Sequence, residues 1–114
     1  MDVYLADFKC GNVECSKKLL GATDYIETVQ RNIIEAAAHS DVIVRHVIMP
    51  GHVECCLKPI LEWLRADLPG AKLSLRDNYV PPVESRYAAK EYLNGNELRS
   101  AVEMAESMGL NLIK

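Results

Sequence analysis

The chain has 114 residues, 49% hydrophobic and 25% charged, with 13 Lys and Arg against 16 Asp and Glu for a net charge of −3. That length and composition suit one globular domain with a real core, residues 1–114. They exclude a basic field for nucleic acid, and no apolar run approaches the roughly 18 residues of a membrane span.

Val3 to Phe8 reads as a buried strand closed by Gly11-Asn12, and a loop or short helix follows over Glu14 to Gly21. Thr23 or Asp24 can cap a helix whose apolar face is Ile26, Val29, Ile33 and Ala37. Val42 to Met49 is a second strand, broken at Pro50-Gly51. The next helix carries Val53, Cys56, Leu57, Ile60, Leu61 and Leu64 at helical spacing, and Pro59 confines its regular part to begin near Cys56. Lys72 to Arg76 is a third strand, and Asp77 to Gly95 is a long connection containing Pro81-Pro82. Asn94 or Asn96 caps a last helix with Leu98, Ala101, Val102, Ala105 and Met108 inward, Gly109 ends it, and Leu110 to Ile113 is a short final strand.

Strands alternating with helices predict an α/β fold of parallel βα repeats, either a small open sheet or half of a barrel. A barrel half alone would expose its inner face and two strand edges. Strand alternation puts Val3, Leu5, Asp7 and Lys9 on one face, with Ile43, Arg45, Val47 and Met49 in the second strand and Lys72, Ser74 and Arg76 in the third. Tyr4, Ala6 and Phe8 oppose the first set, Val44, His46 and Ile48 the second, and Leu73, Leu75 and Asp77 the third. Asp7, Lys9, Arg76, Asp77 and Tyr79 concentrate polarity at the strand exits, where parallel α/β folds bind ligands. Asp, Lys and Arg together suit a zwitterionic ligand, or pair among themselves. Arg45 and His46 need polar company or an edge, and a satisfied structural role is the common fate of a strand histidine. Gly51 permits close backbone approach, while Glu54 meets the helix dipole or caps the helix that follows.

The cysteines are Cys10, Cys15, Cys55 and Cys56. The start Met1-Asp2-Val3-Tyr4 has no signal-peptide pattern, so a cytoplasmic location and reduced thiols are expected. Cys55 and Cys56 are adjacent, which suits neither a disulfide nor a chelating pair. Cys10 and Cys15 lack a second pair or nearby histidine in sequence. No metal site is therefore expected, and the thiols read as apolar fillers and loop residues.

Asp2-Val3-Tyr4-Leu5-Ala6-Asp7-Phe8-Lys9, Val44-Arg45-His46-Val47-Ile48-Met49-Pro50-Gly51-His52 and Leu73-Ser74-Leu75-Arg76-Asp77-Asn78-Tyr79-Val80-Pro81 together resemble radical S-adenosylmethionine proteins related to pyruvate formate-lyase-activating enzyme. The resemblance spans nearly the whole chain and implies the C-terminal half of a partial (β/α)₆ TIM-like barrel. It implies cofactor contacts from Asp7 and Lys9 (an Asp-x-Lys signature), Arg45, and Gly51 with Glu54, and a substrate side at Arg76, Asp77 and Tyr79. The family's [4Fe–4S] cluster needs Cys-x-x-x-Cys-x-x-Cys, which this chain lacks. The whole enzyme would cleave S-adenosylmethionine reductively to a 5′-deoxyadenosyl radical, whereas this part alone has no catalytic residue and is expected to be inactive.

The chain is thus expected to be a fragment, a truncated product or half of a split enzyme. Its expected partner is the missing N-terminal half or a second copy, with a protein as one candidate substrate, and neither nucleic acid nor membrane. The alternative is a non-catalytic half-barrel interaction module. A hydrolase using His46 or His52 with Asp7 or Asp77 is weaker, because no nucleophile elbow or metal spacing supports it.

Overall fold

The computed structural model describes residues 3–20, 24–77, 79 and 93–113. In chain order it contains β1 (Val3–Asp7), α1 (Val13–Leu20), α2 (Tyr25–Ala37), β2 (Asp41–Val47), a π-helical turn (Val53–Leu57), α3 (Lys58–Asp67), β3 (Lys72–Arg76), α4 (Gly95–Ser107) and β4 (Asn111–Leu112). The four strands form one sheet in the order β1-β2-β3-β4, and every pairing is parallel. The α/β class with parallel βα repeats is therefore the fold of this chain.

Strand alternation sorts the two faces, but β1 is not the buried strand expected: Ala6 is its one buried residue and Tyr4, on the covered face, is exposed at this sheet edge. Ala6, Val42, Val44 and Leu73 are buried on one face, and Phe8 and Ile48 continue it past the strand ends. Against them pack Ile33 of α2, Leu57 of the π turn, Ile60, Leu61 and Leu64 of α3, and Ala101 and Ala105 of α4. The opposite face carries Val3, Leu5 and Asp7 of β1 beside Asp41, Ile43 and Arg45 of β2. There Val3 and Leu5 are 59% and 54% exposed, and Val47 is 39% exposed. Among the described residues, the buried helix faces all gather on the first side. A strand order that never reverses has this consequence, because successive crossovers cover the same face.

The β3 boundaries agree with expectation, while β1 and β2 end one and two residues early and β2 also starts one residue early. The backbone ladder nonetheless continues beyond their ends, with Phe8 N–H donating to Arg45 O at 2.9 Å and Ile48 N–H to Arg76 O at 2.9 Å. The segment after β1 is a helix, not a loop. Asp24 precedes α2 without a side-chain cap bond, whereas Asn94 caps α4 by accepting the Glu97 N–H at 2.8 Å. Gly109 follows α4 with φ +73°, a conformation that favours glycine. Thr23, Asn78, Val80, Pro81 and Pro82 lie outside the described residues. No helix among the described residues is long and apolar enough to cross a membrane.

Candidate functional site

Two groups of side chains meet near the exits of β1 and β2. The first lies on the open face. Asp7 and Arg45 are register partners, and Arg45 Nε and Nη2 donate to the two carboxylate oxygens of Asp7 at 2.5 and 2.9 Å. This paired geometry, with the nearby Lys9 charge adding to it, holds the Asp7 carboxyl below its ordinary value. Both partners remain partly exposed. Arg76 lies on the same face opposite Val47, one pleat beyond Ser74, the partner of Arg45. Asp77 is exposed and Tyr79 half-buried.

The remaining polar residues of this region have other partners. His46 is buried, and its Nδ1–H donates to the Phe8 carbonyl at 2.8 Å. Burial lowers its pKa, which suits a neutral structural imidazole rather than a catalytic one. The β1 exit is fixed further by Lys9 N–H donating to Tyr25 Oη at 2.7 Å, and by Phe8 edge-on to Tyr25 and Trp63. Gly51 has no protein atom beyond its chain neighbours within 4 Å of where a Cβ would sit. Its φ of +78° is what requires glycine, and its N–H donates to Glu97 Oε2 at 2.7 Å. Glu54 does not cap its helix; it lies 3.7 Å from Lys58 on the exposed side.

The second group gathers the thiols; Cys10 and Cys56 are buried, as apolar fillers would be, but the cysteines also meet a histidine that is remote from Cys10 and Cys15 in sequence. Cys15 of α1, and His52, Cys55 and Cys56 at and within the π turn, place one ligand atom each within 4.8 Å of all the others. Cys15 Sγ is 3.6 Å from Cys55 Sγ, which is 3.8 Å from Cys56 Sγ. His52 Nδ1 lies 3.9, 3.1 and 3.6 Å from Cys15, Cys55 and Cys56 respectively. Cys10 joins from the side, with its sulfur 2.8 Å from that of Cys56. That contact brings the Cys10 thiol down to about 7 and pushes the Cys56 thiol up, while burial raises Cys15 to about 11.

Local backbone explains why adjacent cysteines converge. On a regular helix consecutive side chains face apart. In the π turn His52 O accepts from both Cys56 N–H at 2.9 Å and Leu57 N–H at 3.3 Å, widening the coil as helix starts. Asn12 holds the other wall, its Oδ1 accepting the Cys15 N–H at 3.2 Å. Cys15 thus meets His52 and Cys55, 37 and 40 positions later in sequence, and His52 supplies the histidine that the linear spacing lacks. Glu97 is a second residue that sequence reasoning missed. It joins the α4 cap to the turn after β2.

Over 119 aligned positions, taking in 99% of the chain, the sequence is 36% identical to an uncharacterized protein of Methanocaldococcus jannaschii. The chain spans about a third of that relative, 34% of its length. No family model matches the chain, and no solved structure matches it significantly.

Proposed function

We propose that this chain is the C-terminal part of a radical S-adenosylmethionine enzyme resembling pyruvate formate-lyase-activating enzyme, with its sheet forming half of a partial (β/α)₆ barrel. The observation that carries the reading is the sheet itself. Four parallel strands run in sequential order with helices on one side, leaving a face on which Asp7, Arg45 and Arg76 stand beside exposed Val3, Leu5 and Val47. A face with that mixture suits the inside of a barrel whose other strands come from elsewhere. A relative about three times as long as the matched region agrees with a larger whole.

The donor set on this face fits an amino-acid zwitterion. Asp7 offers an anionic acceptor for an ammonium, and Arg45 and Lys9 offer donors for a carboxylate. Arg45 is already oriented by its two bonds to Asp7, so it can keep one and turn the other toward a ligand carboxylate. Arg76, Asp77 and Tyr79 fall on the substrate side in this reading. The [4Fe–4S] cluster does not fit the chain, because no Cys-x-x-x-Cys-x-x-Cys is present, and the thiols of Cys15, Cys55 and Cys56 lie within 4.8 Å of one another with Cys10 2.8 Å from Cys56, too close to span a cubane. Cofactor and cluster together supply reductive carbon–sulfur cleavage and hydrogen abstraction. The residues of this chain would bind and orient the cofactor, with the cluster ligands contributed by the absent half.

The test is a backbone amide NMR titration of the full chain with S-adenosylmethionine, with Lys9→Ala and Arg45→Ala as controls. Shifts centred on residues 7–9, 45 and 51 that vanish in both variants are expected. Saturating cofactor without shifts at those positions would sink the assignment. The exposed Val3, Leu5 and Val47 favour a second reading, a half-barrel module that pairs with a second copy of itself. Sedimentation of the chain as a dimer that takes up no cofactor would select it.

A further inference from the structure

Outside the open face, the thiol cluster is the most concentrated chemistry among the described residues. We infer that Cys15, His52, Cys55 and Cys56 form a mononuclear tetrahedral site for a zinc-class divalent ion. Around such an ion, metal–sulfur bonds of about 2.3 Å and metal–nitrogen bonds of about 2.0–2.1 Å give tetrahedral edges near 3.8 Å between sulfurs and about 3.5 Å from sulfur to nitrogen. Two of the three sulfur–sulfur separations are 3.6 and 3.8 Å, the third (Cys15 to Cys56) lies within 4.8 Å, and the three sulfur–nitrogen separations are 3.9, 3.1 and 3.6 Å. The protein sets the four ligand atoms near the corners of one irregular tetrahedron, with five of its six edges between 3.1 and 3.9 Å.

The ligand chemistry selects the ion. Three soft thiolates and one imidazole suit zinc, whereas calcium and magnesium take oxygen donors. On binding, three thiols release three protons to solvent and the imidazole coordinates through neutral Nδ1, leaving the site with a net charge of −1. Cys10 stands outside the tetrahedron. Its sulfur, 2.8 Å from Cys56, is placed to donate an S–H to the coordinated Cys56 thiolate, as outer groups orient ligands in metal sites.

The site also has a mechanical meaning. Cys15 belongs to the segment leaving β1, and the other three ligands belong to the segment leaving β2. One ion would therefore clamp two crossover connections on the helix-covered side, near but separate from the Asp7–Arg45 pair. This inference is independent of the barrel reading.

The test is zinc stoichiometry of the reduced full chain by native mass spectrometry, with cobalt substitution read by absorption. One zinc per chain is expected, and cobalt should show tetrahedral ligand-field bands with charge transfer from three thiolates. Cys15→Ser and His52→Ala should lower affinity by more than the roughly 10–100-fold that loss of an outer group costs, and Cys10→Ser should fall within that range while keeping one ion per chain. A reduced wild-type chain that takes up no zinc would overturn the site, a result that does not require any variant to fold. Iron with inorganic sulfide, or a Cys10→Ser variant that alone loses the ion, would overturn it equally.

Discussion

Gly11 donates its N–H to the Cys56 carbonyl at 3.0 Å, and a Cβ at position 11 would sit 2.9 Å from that same oxygen. The added carbon would also meet Ile60 N and Cγ1 at 2.9 Å. Two of these three atoms are backbone, so the π turn itself would have to move. Gly11→Ala is expected to destabilise the chain by about 1–3 kcal/mol, the usual cost of overpacking. Urea unfolding would read this as a lower midpoint at unchanged slope.

His46 makes a pH-dependent contribution whose sign follows from its burial. Its pKa lies below the ordinary 6.5, so the unfolded chain takes up the proton at higher pH than the fold does. The stability it contributes is present above the unfolded pKa and is lost as pH falls toward the folded one. Unfolding midpoints measured from pH 7 downward should show this loss in the wild type. His46→Leu should remove that part of the slope and cost about 1–3 kcal/mol at pH 7, because the Phe8 carbonyl loses its donor.

Most of the fold is legible from period and punctuation, and the thiol site is not. Lys72 to Arg76 is bounded by Pro69-Gly70 and Asp77, and the structure keeps those bounds, with Leu73 buried, Lys72 and Arg76 exposed, and Leu75 only half-buried. Asn94 announces the last helix because a capping side chain acts locally. Cys15 and Cys55 stand 40 positions apart, and only parallel pairing of β1 with β2 brings their connections together. The convergence of Cys55 with Cys56 depends further on a π turn, which regular helical periodicity does not predict. Glu97 is hidden for a similar reason. Its first-turn position reads as dipole compensation, while its bond to Gly51 depends on where α4 packs.

The Asn94–Glu97–Gly51 chain of bonds predicts unequal effects at its two side chains. Asn94 Oδ1 accepts the Glu97 N–H, and its Nδ2 donates to Glu97 Oε1 at 3.2 Å. Asn94→Ala should cost about 0.5–2 kcal/mol, the value of an N-cap. Glu97→Ala should cost less in global unfolding but should speed hydrogen exchange at the Gly51 amide, whose acceptor it removes. Equal exchange at Gly51 in both proteins would show that this bond does not hold the turn.

The Asp7–Arg45 pair predicts an acid response opposite in origin to that of His46 but equal in direction. Hydrogen bonding to Arg45, with its charge and that of Lys9, depresses the Asp7 pKa below 3.8. The charged form is favoured in the fold, so its contribution is complete above the unfolded pKa and disappears as pH falls through the folded value. Asp7→Asn should flatten stability below about pH 4 and leave unchanged the slope that His46 adds as pH falls below its ordinary value of 6.5. Because the pair is partly exposed, added salt should weaken its effect, whereas the desolvated His46 should hardly respond. A four-way comparison of wild type and Asp7→Asn at low and high salt separates the two groups. An acid slope that is the same in all four conditions would mean that Asp7 and Arg45 are together in geometry but not in energy.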